Sequence, residues 1–150
     1  MRYSLSALAL TLLGRPVTAT PVTPDLAAIA ASLPIVELGS PSAAPTFLQQ
    51  GSLRHNTTLH ADALDPILLL CPGTNCQTCT VVDMSGQLTD TCFLAGFTFV
   101  SAADVVTNQV PLPFTPGVGT SQCASLLSLP TANTCFNIGG GPFSTFALLD

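Results

Sequence analysis

The chain has 150 residues, three Arg and no Lys against eight acidic residues, a net charge of −5 at neutral pH and a mean hydropathy of +0.56. That length predicts one domain. So few cations cannot track a phosphate backbone, which excludes nucleic acid as a partner and disfavours attraction to anionic lipid.

Residues 1–19 read as a secretory signal peptide. Arg2 opens it, Leu5 to Leu13 form an apolar core, and Val17-Thr18-Ala19 is a small-residue exit, with cleavage expected after Ala19. The apolar core falls short of the roughly 20 residues a membrane-spanning helix needs, and no other stretch reaches that length. The C-terminal FSTFALLD lacks the tail of a lipid-anchor signal. Cleavage removes Arg2 and Arg15, leaving Arg54 as one full cation against eight acids, a net charge of −7. A secreted, extracellular protein is expected, with a neutral surface suited to a neutral glycan or a host protein.

Residues 20–60 form a Pro/Ala/Ser/Thr-rich N-terminal extension without cysteine. Within it Thr23-Pro24-Asp25 is a helix opening, with a capping Thr, Pro in the first turn and an acid beside it. Leu26, Ile29 and Leu33 then recur at helical spacing, which predicts a short helix over 24–33, ended by Pro34. Whether it docks on the core is left open. Asn56-Thr57-Thr58 is an N-glycosylation sequon and places Asn56 on an exposed loop.

Residues 61–150 are predicted to be the folded part, a disulfide-stapled β domain. PILLL runs into Cys71, CPGTNC is a turn cluster, and CTVVDM (79–84) is a β-branched strand candidate. SGQ is a turn signal and LTDTCFL a return strand, together predicting a hairpin. GFTFVS alternates, with Phe97 and Phe99 on one face. VPLPFTPGVG carries three prolines and two glycines and is expected to be a loop. CASLLSL, TCFNI and FSTFALL are three further strands, with GGGP turning between the last two. Short strands separated by turn signals predict an all-β fold of short antiparallel strands plus the N-terminal helix.

Thr91-Cys92-Phe93 and Thr134-Cys135-Phe136 look like one unit written twice, each followed by a Thr-Phe pair, Thr98-Phe99 and Thr145-Phe146. Two pseudo-equivalent β units are the expectation. Six cysteines in a secreted chain read as disulfides: Cys71, Cys76, Cys79, Cys92, Cys123 and Cys135. Equivalent units suggest Cys79–Cys92 and Cys123–Cys135, leaving Cys71–Cys76; a rival links Cys92 to Cys135. The spacing does not choose between them.

Little in the chain suggests catalysis. The Cys71, Cys76 and Cys79 cluster has zinc-like spacing, but an oxidising compartment favours disulfides. Cys76-Gln77-Thr78-Cys79 matches a redox C-x-x-C, yet it lies among turn residues rather than opening a helix after a strand. His55 and His60, with Asp62 and Asp65 nearby, flank the sequon and read as solvated loop residues. Asp83 and Asp90 are the one acid pair that a hairpin would place face to face for hydrolysis, and turn residues are the expectation for both. There is no Gly-x-Ser-x-Gly elbow and no phosphate-binding Gly loop. Trp is absent and the one Tyr, Tyr3, leaves with the signal, so sugar-stacking platforms are missing and the eight Phe read as core. No cofactor, metal or catalytic residue is assigned, and a monomer is expected.

The signal peptide, the small size and the Cys-x4-Cys-x2-Cys cluster resemble, as a class, the small secreted cysteine-rich proteins of filamentous fungi, which include effector candidates. That resemblance implies a non-enzymatic secreted protein that acts by binding at a host or extracellular surface, and it transfers no functional residue; the sequon adds the expectation of a glycoprotein. A cell-wall-associated structural protein is the alternative, and a small hydrolase follows it. The chain departs from hydrophobins: it has six cysteines and no Cys-Cys doublet.

Overall fold

The computed structural model describes residues 26–43, 49–51, 66–107 and 112–150. A short helix, α1 (Leu26–Ser32), precedes eleven strands: β1 (Ile35–Leu38), β2 (Ser42–Ala43), β3 (Gln49–Gly51), β4 (Ile67–Cys71), β5 (Thr80–Asp83), β6 (Thr91–Phe99), β7 (Ser101–Val105), β8 (Thr115–Gly119), β9 (Ser125–Ser128), β10 (Thr134–Ile138) and β11 (Phe143–Leu149). They form a five-stranded sheet of order β1-β10-β7-β4-β5 and a six-stranded sheet of order β2-β9-β8-β11-β6-β3. The all-β fold with one short helix is as expected, but the sheets are mixed, because β1 runs parallel to β10 and β3 parallel to β6.

The main core lies between the sheets. Leu68 and Leu70 of β4, Phe136 of β10 and Ala102 of β7 meet Phe93, Phe99, Val118, Phe143, Phe146 and Leu148 from the other sheet. Phe93 and Phe146 stack with centroids 5.3 Å apart. The alternation of β4 explains why its whole run of five residues is buried. Leu68 and Leu70 face this core, while Ile67, Leu69 and Cys71 face outward beneath α1, which packs there through Leu26, Ile29, Ala30 and Leu33. The outer face of the second sheet is smaller: Cys92, Cys123, Leu126 and Ala147, with Leu149 beside them.

Residues 66–150 contain a duplication, arranged differently from the one expected. Read from the parallel edge, the sheets run β1-β10-β7-β4-β5 and β3-β6-β11-β8-β9, so β4 to β7 correspond to β8 to β11. In each set the first two strands pair as a hairpin, the third crosses to the other sheet, and the fourth returns beside the first. The two sets therefore interlock instead of standing back to back. Register matches residue by residue: Thr91, Cys92 and Phe93 lie opposite Leu148, Ala147 and Phe146, as Thr134, Cys135 and Phe136 lie opposite Asp104, Ala103 and Ala102. Each Thr-Cys-Phe follows a residue in the left-handed region, Asp90 (φ 51°) and Asn133 (φ 55°). Their N–H groups donate to the opposite strand, Asp90 to Leu148 O (2.7 Å) and Asn133 to Asp104 O (2.6 Å). Asp and Asn tolerate that conformation better than most residues.

Several expectations need correction. The hairpin predicted for CTVVDM and LTDTCFL does not form: β5 pairs with β4, and β6 belongs to the other sheet. The Thr-Phe pairs are not equivalent, since Thr98-Phe99 ends β6 whereas Thr145-Phe146 lies within β11, opposite Gly119 and Val118. The stretch expected to be a loop supplies β8, which is central in its sheet. Pro116 is accommodated because its carbonyl accepts the Leu129 N–H (2.8 Å) just past the last β8–β9 pair, Gly117 with Ser128; the missing N–H falls where that ladder stops. Of the N-terminal extension, whose docking was left open, the described residues 26–43 and 49–51 supply α1 and the strands β1, β2 and β3, and α1 packs on the first sheet.

Candidate functional site

All six cysteines are bonded, as Cys71–Cys79, Cys76–Cys135 and Cys92–Cys123. This overturns both pairing schemes drawn from the repeat, in which Cys79 would join Cys92 or Cys92 would join Cys135. The reason is the interlocking: Cys92 and Cys135 sit on strands that have crossed into the opposite sheet, so each meets the hairpin loop of the other set. The principle that equivalent cysteines make equivalent bonds still holds, with Cys76 matching Cys123 and Cys135 matching Cys92. Cys76 follows Asn75 and Cys123 follows Gln122, all four at positive φ. Cys76 N–H donates to Ser101 Oγ (3.1 Å), and Ser101 Oγ–H donates to Gly73 O (2.6 Å). Cys123 N–H donates to Thr145 Oγ1 (3.3 Å), and Thr145 Oγ1–H donates to Thr120 O (2.5 Å). One hydroxyl thus pins each cysteine loop onto the strand below it.

The third bridge breaks the correspondence. Cys71–Cys79 closes the β4–β5 hairpin. In the second set the corresponding place is the paired Gly119 and Leu126, where a Cβ on Gly119 would stand 2.7 Å from Leu126 Cδ2. Helix α1 breaks it as well, covering the first sheet's outer face alone.

Those two unmatched features wall one cavity of about 550 Å³. Its floor is Leu69 and Val81 with the buried Cys76. One wall is α1, through Leu26, Ala27, Ala30 and Ala31. The other is the cysteine loop, through Asn75, Gln77, Thr78 and Cys79, and Ile35 of β1 closes one end. Next to the loop, Asn137 Nδ2 donates to both Glu37 Oε1 (2.7 Å) and Asn75 Oδ1 (2.8 Å), and Asn75 N–H donates to Asn137 Oδ1 (2.7 Å). Among the described residues the lining holds no ionisable side chain and no aromatic ring. It can shelter an uncharged ligand and offer amide and hydroxyl groups to it; proton transfer has no obvious carrier there.

A second cavity of about 310 Å³ opens at the end of the sheets near Asp104, Leu112, Phe114 and Asn133. Asp104 is buried (3 % exposed) on β7, at the position that Leu148 occupies on β11.

The predicted hairpin that would set Asp83 against Asp90 does not form, and the two make separate hydrogen bonds. Asp83 Oδ1 accepts the N–H (2.8 Å) and Oγ–H (2.6 Å) of Ser85, making a turn after β5, while Asp90 Oδ1 accepts the N–H of Asp150 (3.4 Å). Neither lines a cavity above. His55, His60, Asp62, Asp65 and the sequon Asn56 lie outside the described residues, as do residues 1–19, where a signal peptide is expected. Among the described residues no cluster of three His, Cys, Asp or Glu could hold a metal, and no helix is long and apolar enough to cross a membrane. Sequence reasoning missed the α1 cavity because it treated α1 and the cysteine loop separately; the apolar face Leu26, Ile29, Leu33 was the available signal that α1 docks.

No protein-family model, curated protein or solved structure matches the chain.

Proposed function

We propose that the protein is a secreted, non-enzymatic binding protein, effector-like in acting at a host or extracellular surface, and that the cavity between α1 and the cysteine loop is its recognition site. The carrying observation is that cavity: its described lining residues are uncharged and largely apolar, and two disulfides hold its loop in place. Its volume falls in the range of about 300–1,000 Å³ usual for ligand sites. The three bridges suit an oxidising compartment.

The test is capture. The oxidised chain, immobilised, is exposed to host extracellular fluid and to extracted wall polymers, beside Ala31→Trp, which fills the cavity from its helical wall. Retention of a defined partner by the parent chain, reduced at least about tenfold in the variant, is the expected result. Equal retention by both would remove the cavity from the function, and turnover of wall polymers would overturn the non-enzymatic reading.

A further inference from the structure

The features of residues 66–150 that recur in both strand sets serve the fold, because each set needs them. What occurs once is different. Among the described residues the Cys71–Cys79 bridge and helix α1 have no counterpart on the other sheet, and both border the same cavity. A third singular feature sits between them. Thr78 holds φ at 57°, and the second loop has positive φ only at the counterparts of Asn75 and Cys76, namely Gln122 and Cys123. For a β-branched residue this conformation is strained, and it persists only where the surroundings impose it. Here Cys76 and Cys79 flank it, tied to β10 and β4 respectively. The strained residue lines the cavity.

The chemistry of the walls narrows the ligand. With no cation or acid among the described lining residues, a charged ligand would lose its hydration without compensation. With no aromatic ring among those residues, a sugar has nothing there to stack on. Alanines 27, 30 and 31, together with Leu26, Leu69 and Val81, offer aliphatic surface, and Gln77 and Thr78 offer hydrogen-bonding groups at one side. We infer that the cavity binds a small neutral aliphatic molecule, of the class of long-chain alcohols or terpenoid alcohols and ketones, with its chain or ring against α1 and its oxygen toward the cysteine loop. This rests on the cavity being the recognition site and adds what enters it.

The test is a titration of the isotope-labelled oxidised chain with 1-octanol, followed by amide chemical shifts, with octanoate as the charged comparator. Saturable shifts confined to residues 26–35 and 75–81 are expected, with octanoate binding at least about tenfold more weakly. Ala31→Trp should abolish them, while Ala124→Trp, on the opposite cysteine loop, should leave them intact. Should Ala31→Trp fold poorly, Ala31→Met is the milder filling and should weaken the shifts. Non-saturating shifts, shifts spread to the exposed Leu88 and Leu94, equal binding of octanoate, or shifts unchanged in the filled variant would each overturn the inference. Capture of an extracellular partner that Ala31→Trp abolishes, without any octanol response, would also overturn it while leaving the proposed function standing.

Discussion

At the scale of single residues, contrasts between neighbours separate fold from surface. Gly119 is hemmed in: an added Cβ would meet Leu126 Cδ2 and Ser125 O at 2.7 Å and Thr145 Oγ1 at 2.9 Å, two of these on the pinned cysteine loop or its strand. Gly119→Ala should therefore cost about 1–3 kcal/mol from overpacking. Gly39, with nothing within 4 Å, should tolerate Ala within about 0.5 kcal/mol. Urea unfolding of the two variants measures the difference, and equal midpoints would refute the crowding argument. Phe146 is fully buried against Phe93, whereas Leu94 next along β6 is 64 % exposed. Phe146→Ala should lose about 3–5 kcal/mol, and Leu94→Ala close to nothing, by the same measurement. Of the eight Phe read as core, Phe93, Phe99, Phe136, Phe143 and Phe146 are buried, Phe97 and Phe114 pack at its margin, and Phe47 lies outside the described residues. That the Phe93–Phe146 stack is answered in the other strand set by Phe136 opposite Ala102 was not legible in the sequence, because pairing decides which large residue faces which small one.

At the scale of elements, the bridges and the edge strands dominate. The disulfides close loops of 8, 59 and 31 residues for Cys71–Cys79, Cys76–Cys135 and Cys92–Cys123. On chain entropy, replacing each pair by Ala should cost about 2.5, 4 and 4 kcal/mol in that order. Thermal unfolding of the three double variants checks the ranking. A Cys71/Cys79 variant as unstable as the others would show that this bridge restrains the folded structure more than the unfolded chain. The short strands β4, β5, β9, β10 and β11 were legible because their residues are β-branched or apolar and bounded by turns. The elements missed were β7, which reads Ser-Ala-Ala-Asp-Val, the proline-containing β8, and the edges β1 to β3. Except for β1, which reads Ile-Val-Glu-Leu, these take their strand conformation from neighbours more than from their own propensity.

At the scale of the whole molecule, interlocking makes each strand set depend on the other. β7 lies between β4 of its own set and β10 of the other, and β11 lies between β8 and β6. Fragments 61–110 and 111–150 should each lack cooperative structure, shown by collapsed amide dispersion, because every third strand has lost the sheet it crosses into. A well-dispersed spectrum from either fragment alone would contradict the interlocked description. The same reasoning applies to the N-terminal segment. A chain beginning at residue 61 loses β1 and β3, the parallel partners of the two Thr-Cys-Phe strands, and should melt well below a chain beginning at residue 34, which of the described elements loses α1 alone. The latter should retain both sheets and lose the helical wall of the cavity.

The amino-acid sequence by itself determined the composition of the core, the readiness of six cysteines to bond, the helical face of α1 and the recurrence of Thr-Cys-Phe after an Asp or Asn that accepts positive φ. These are local properties, set by side-chain chemistry and backbone preference. Tertiary structure alone decided that the recurrent strands cross between sheets, that Cys92 meets Cys123 and Cys135 meets Cys76, and that α1 stands off from the cysteine loop to leave a cavity. Disulfide partners and cavities are set by distances between segments far apart in the chain. Local periodicity carries no information about those distances, which follow from how the two sheets bury their shared core.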